Sequence, residues 1–127
     1  MGTDESPIIY HIARREDWQD AVRLGIYAPS SLPVEGFIHC STFSQILETA
    51  NRWFRGRADL LLLEIDARLI TAELKREPPL SPADERRAER FPHLYGPLNL
   101  DAVAQVLDFP CEADASFRLP PNLRVQT

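Results

Sequence analysis

The sequence predicts an α+β fold with a split, mostly antiparallel sheet and two helices early in the chain. Three observations predict it. Strand-like and helix-like segments alternate only as far as a second helix ending near Trp53, and the ordered segments after it read as strands. The helix that a doubly wound parallel sheet places between each pair of strands is missing. The 127 residues fall within the roughly 100 to 200 typical of one domain, and a domain of that size buries roughly two-thirds of its unfolded surface without needing a metal or disulfide.

Pro7 to Ala13 (PIIYHIA) is rich in β-branched and aromatic residues and reads as a buried strand, with Ile9 and His11 on one face and Ile8, Tyr10 and Ile12 on the other. Arg15 to Leu24 (REDWQDAVRL) spaces Trp18, Ala21 and Val22 as a short amphipathic helix, with acidic residues in its first turn and Gly25 as its stop. Ile26 to Gly36 (IYAPSSLPVEG) holds two prolines and two serines and reads as loop. Gly36 to Ser41 (GFIHCS) is a second strand whose period of two puts Phe37, His39 and Ser41 on one face and Ile38 and Cys40 on the other. Ser41 or Thr42 then caps a helix in which Phe43, Ile46, Leu47, Ala50 and Trp53 or Phe54 recur at helical spacing, closed by Gly56.

Asp59 to Asp66 (DLLLLEID) is a central strand, buried on both faces until Glu64 and Asp66 meet solvent. A turn at Ala67 to Ile70 and an exposed strand at Ala72 to Glu77 follow. The proline-bounded, charged stretch from Pro78 to Pro92 reads as a mobile surface excursion. Order resumes at His93 to Asn99 (HLYGPLN), Val103 to Phe109 is the last strand, and residues 111–127 read as a surface tail.

Composition narrows the function classes. With 14 basic against 19 acidic residues the formal net charge is -5, which argues against a broad nucleic-acid-binding field. Lys75 is the only lysine, so positive charge arrives almost entirely as planar guanidinium forks, suited to carboxylate or phosphate. Cys40 and Cys111 lie far apart and form no metal-type spacing, so a reduced, cytoplasmic setting is expected. No apolar run approaches the roughly 20 residues of a membrane span.

The chain has three histidines, and each falls in a segment that reads as ordered: His11, His39 and His93. Three imidazoles could hold zinc and leave a place for water, which keeps a metal-dependent hydrolase open, although no HxH, HxxxH or HExxH spacing presets two ligands. Cys40 beside His39 is no activated nucleophile, because neighbours in a strand point to opposite faces. Ser41 shares the face of His39 but has no GxSxG elbow. Neither GxxxxGK[ST] nor GxGxxG occurs. Arg52, Arg55 and Arg57, at the end of the second helix, are candidate anion contacts.

The motifs IYHIA, GFIHCST, ANRWFRG, LLLLEID and FPHLYGPLNLDAV, taken in that order, resemble domain-of-unknown-function family 952 of small bacterial proteins, across roughly Ile9 to Leu107. That family is similar in fold to the ADP-ribosyltransferase superfamily. The resemblance therefore implies a compact ADP-ribosyltransferase-like split sheet and a cleft for NAD. By the same resemblance His11 would hold a ribose hydroxyl, His39 and Ser41 would line the pocket, and His93 and Tyr95 would stand near the reacting centre, with Arg52, from its place at the helix end, as the phosphate contact. Where the superfamily often has a late-strand glutamate, this sequence has HLYGPLNL. That departure leaves three expectations: a transferase of ADP-ribosyl or RNA 2'-phosphotransferase type, a non-catalytic pocket for a nucleotide or phosphorylated metabolite, or the three-histidine hydrolase.

Overall fold

The computed structural model describes residues 6–79 and 89–123. Among the described residues, eight strands and three α-helices follow in the order β1 (Ile8–Arg14), α1 (Arg15–Leu24), β2 (Ile26–Tyr27), α2 (Ser31–Glu35), β3 (Ile38–His39), α3 (Ile46–Trp53), β4 (Leu60–Asp66), β5 (Glu73–Glu77), β6 (Phe91–Tyr95), β7 (Leu98–Asn99) and β8 (Val103–Asp108), with 3-10 turns at Phe43–Gln45, Ala67–Leu69 and Leu100–Ala102. The architecture is α+β, and the strand pairs are antiparallel.

The strands form three small sheets. The central one has the order β1-β4-β8, a second has β3-β6-β5, and β2 pairs with β7. An isolated bridge joins the first two: the amides of Tyr10 and Ser41 donate to each other's carbonyls at 2.8 and 2.7 Å. Immediately before it, the Cys40 amide donates to the Pro92 carbonyl at 2.9 Å. The six-residue second strand expected from the sequence is thus a two-residue ladder, continued by single bonds to two different partners.

The leucine run of β4 is explained by burial on both faces. Leu63 and Ile65 join Ile9 and Ala13 of β1 in one core cluster, with Ala21 of α1, Tyr27, Ile38, Cys40, Leu94 and Leu98. Leu60 and Leu62 join Tyr10 and Ile12 in the other, with Ile46 and Ala50 of α3 and Phe109. The alternation read for β1 therefore separates two cores, one under each face of the central sheet. Thr42 opens the 3-10 turn before α3, its amide donating to the Gln45 side chain at 2.9 Å, as in a capping box. Gln45 in turn donates to the Arg90 carbonyl at 2.8 Å and so fixes the entry to β6.

Several expectations change. The segment read as loop at Ile26 to Gly36 contains β2 and α2: Ile26 and Tyr27 gain strand partners in Asn99 and Leu98, which local sequence does not reveal. Glu64 does not meet solvent. It is 4% exposed, opposite Gln105, and its Oε1 has no hydrogen-bond partner among the described residues. The tail is not wholly a surface feature, because Phe117 is 4% exposed and packs 5.0 Å from Phe109, its amide donating to Asn51 at 2.8 Å. Residues 80–88 of the supposed excursion and 124–127 of the tail lie outside the described residues.

Candidate functional site

The Tyr10–Ser41 bridge brings the residue after Tyr10 beside the end of β3. His11 Nδ1–H donates to the His39 carbonyl at 2.5 Å, and because a carbonyl only accepts, the other nitrogen, Nε2, accepts from the Tyr27 hydroxyl at 2.7 Å. Burial pushes this imidazole down to about 4 and pushes the Tyr27 phenol up. His11 is therefore neutral near pH 7, with both nitrogens engaged by the protein. The group it presents toward a ligand is the Tyr27 oxygen, which keeps a free lone pair.

His39 and His93 sit directly opposite each other across β3 and β6, with ring centroids 5.4 Å apart. Phe37 organises both: it stacks on His93 at 4.2 Å and 20° and meets His39 edge-on at 4.7 Å. Each histidine also has a carboxylate. His39 Nε2 lies 2.8 Å from Glu35 Oε1, four residues earlier at the end of α2. Gly36, at φ +88°, turns the chain between them in a left-handed conformation that side chains rarely adopt. His93 Nδ1 lies 2.7 Å from Glu77 Oε1, and the Tyr95 hydroxyl donates to that same oxygen at 2.7 Å. Strand pairing accounts for this, since Glu77 is opposite Phe91 on β5 and so diagonal to His93 on the same sheet face. The hydroxyl and the imidazole hold the Glu77 carboxyl below its usual range. Burial pulls His93 down, and Glu77 opposes that shift.

The three histidines line one cleft of about 680 Å³, together with Ser41, Arg52, Arg14, Glu35 and an exposed Trp53. This is within the size range of small-molecule sites. Ser41 is buried, with its hydroxyl 3.4 Å from that of Thr49. The Arg52 guanidinium lies 5.0 Å over the Trp53 ring. Tyr95 is not on the cleft surface; it meets the site from behind, through its hydroxyl on Glu77 and its ring 5.2 Å from that of Phe37. Arg55 and Arg57 are also elsewhere, bonded to the Asp114 carbonyl and to Asp59. Cys40 is buried with its thiol pushed up to about 12, which makes it a poor nucleophile at neutral pH.

Five participants escaped the sequence reading: Arg14, Tyr27, Glu35, Glu77, and Trp53, which was read onto the apolar face of its helix and is instead 65% exposed. Glu35 meets His39 across the turn at Gly36. Glu77 carried no signal, because its relation to His93 exists only once β5 pairs with β6. Among the described residues no group of three or more His, Cys, Asp or Glu is placed to hold a metal ion, and the engaged nitrogens of His11 explain why three histidines on one cleft do not make a ligand set. No helix among the described residues is long and apolar enough to cross a membrane.

The chain matches the family described as "Protein of unknown function (DUF952)" over residues 12–106. It is similar to the crystal structure of protein CC0527 from Caulobacter crescentus, and equally to that of a double mutant of it, with 37% identity, a TM-score of 0.76 and coverage of 87% of this chain and 93% of that one. For the solution structure of the same protein the identity is 35%, the TM-score 0.64 and the coverage 87% and 90%. No curated protein matches.

Proposed function

The chain belongs to the DUF952 family of proteins of unknown function, and we propose that its cleft binds NAD and transfers the ADP-ribosyl group, with the phosphate-handling chemistry of an RNA 2'-phosphotransferase as the close variant. The observation that carries the reading is the convergence of His11, His39 and His93, from three different strands, on one cleft that also holds Arg14 and Arg52. A purely structural role for the histidines does not require them to share a surface.

The parts suit a dinucleotide. Arg52 offers a guanidinium fork for phosphate, and the adjoining Trp53 ring, 65% exposed, offers a face for a planar base. Tyr27, braced by His11, offers an oxygen for a ribose hydroxyl. Cleaving the bond from ribose to nicotinamide develops positive charge on the sugar, which a nearby carboxylate stabilises. Glu35 lines the cleft and can fill the role for which HLYGPLNL supplies no glutamate.

Titration calorimetry with NAD tests the binding. A dissociation constant below millimolar is expected, and no heat at millimolar NAD would remove both the transferase and the nucleotide-pocket readings. Nicotinamide release then separates an enzyme from a binder: release that persists undiminished in His39→Ala would sink the place given to His39.

A further inference from the structure

Burial, hydrogen bonding and a place on the cleft coincide at one residue, and we propose that His93 Nε2 is the general base that takes the proton from a hydroxyl acceptor. The tautomer is set by the partner. Glu77 Oε1 receives both the Tyr95 hydroxyl and His93 Nδ1 at 2.7 Å, and an ionised carboxylate can only accept. Neutral His93 therefore carries its proton on Nδ1 and its lone pair on Nε2.

That lone pair has no protein donor among the described residues: none forms a hydrogen bond to Nε2 or to a ring nitrogen of His93 other than Nδ1. The residue is 2% exposed and lines the cleft. His11 shows the contrasting case, a histidine on the same cleft with both nitrogens engaged. Phe37, stacked at 4.2 Å, holds the plane of the His93 ring, so the direction of the lone pair is fixed before a ligand arrives. Glu77 and Tyr95 act behind it as positioning residues.

A base of this kind names the acceptor class. A carboxylate acceptor is already ionised near pH 7 and needs no base, whereas an alcohol must lose its proton as it attacks. In the transfer step the acceptor O–H bond breaks and its proton moves to His93 Nε2. The oxygen forms a bond to ribose C1' while the C1'–N bond breaks, and that electron pair leaves on the nicotinamide nitrogen. The imidazolium, opposed by Glu77, then returns its proton to solvent. The electrophile rests on the transferase reading above; the base rests on the protein geometry alone.

The groups facing His93 are His39 from β3, with Glu35 behind it, Lys75 and Glu77 from β5, and Tyr95 on its own strand. Nitrogen-15 NMR of the free protein tests the tautomer without any ligand: the Nδ1–H form of His93 is expected in the wild type, and the Nε2–H form would overturn the proposal. Glu77→Ala, at the end of an edge strand, removes the acceptor; a mixture of tautomers and a lower His93 titration midpoint are expected. An unchanged tautomer and midpoint would overturn the positioning role.

With NAD and methanol as the hydroxyl probe, His93→Gln is expected to slow formation of the methyl ADP-ribose product by about 100-fold or more. Glu77→Ala should move the acid limb of the rate profile to lower pH, and wild-type rates in His93→Gln would overturn the base. Absence of nicotinamide release from the wild type counts against the transferase reading, while the tautomer in the free protein still decides the base.

Discussion

His39 and His93 face each other across one antiparallel pair, with their rings 5.4 Å apart and inclined at 77°, and each is tied to a glutamate by a contact of 2.7 to 2.8 Å. Two histidines so close would repel if both were protonated. Their carboxylates, Glu35 from a helix end and Glu77 from an edge strand, approach from different elements and keep the two imidazoles distinct in environment: one half-exposed, the other enclosed.

Acid should weaken the fold through His11. Its folded value near 4 lies below the ordinary 6.5, so between those values the unfolded chain binds the extra proton. Stability is then full above about pH 6.5 and falls as the pH drops toward 4, by on the order of 3 kcal/mol. Burial of His93 acts in the same direction. Urea midpoints between pH 7 and 4.5 should fall more steeply for the wild type than for His11→Gln; parallel slopes would contradict the assignment.

Tyr27→Phe removes the hydroxyl that meets His11 Nε2 and leaves a part-buried acceptor without its partner. The expected loss is about 1 to 3 kcal/mol. Chemical denaturation measures it, and a variant as stable as the wild type would show that the bond contributes nothing net.

Phe117→Ala should destabilise by about 3 to 5 kcal/mol, because the ring is buried against Phe109 and its amide is held by Asn51. A loss below about 0.5 kcal/mol, the scale of ordinary surface changes, would mean the segment does not dock.

Trp53→Ala should behave in the opposite way, since its side chain is 65% exposed. Stability is expected to change little, while NAD affinity falls by about 10-fold with the loss of one stacking face. NAD should also quench the fluorescence of this tryptophan in Trp18→Phe, a background that leaves Trp53 as the reporter; unaltered emission at saturating NAD would argue against a base on that ring.

Thiol labelling at pH 8 should mark Cys111 in the folded protein and leave Cys40 unmodified until denaturant is added. Burial both shields Cys40 and raises its thiol to about 12. Rapid labelling of both cysteines without denaturant would be incompatible with this placement.

Much of the fold was legible because it is written in periodicity. The alternation of PIIYHIA, the two-faced burial of LLLLEID and the spacing of Trp18 and Ala21 each depend only on neighbours along the chain, although Val22, read onto the same helix face, is 60% exposed. The same period correctly set Ile38 and Cys40 apart from His39. What was hidden depends on pairing between distant segments. Ile26 and Tyr27 are strand only because of Leu98 and Asn99, Phe117 is core only because Phe109 meets it, and Glu77 reaches His93 only through the register of β5 on β6. The histidines were visible as candidates. Their partners, which set tautomer and charge, were not: Glu35 meets His39 across the turn at Gly36, and Glu77 meets His93 across two strands.

The Tyr10–Ser41 bridge gives the cleft one stitched wall. His11 follows directly from one side of the stitch and His39 stands two residues from the other, so both imidazoles are placed by the same pair of backbone bonds, while Arg52 and Trp53 line the cleft from α3. The two walls are held by different means: backbone hydrogen bonds pin the histidine side, whereas the helix side is anchored by burial of Ile46 and Ala50 in the core that holds Tyr10.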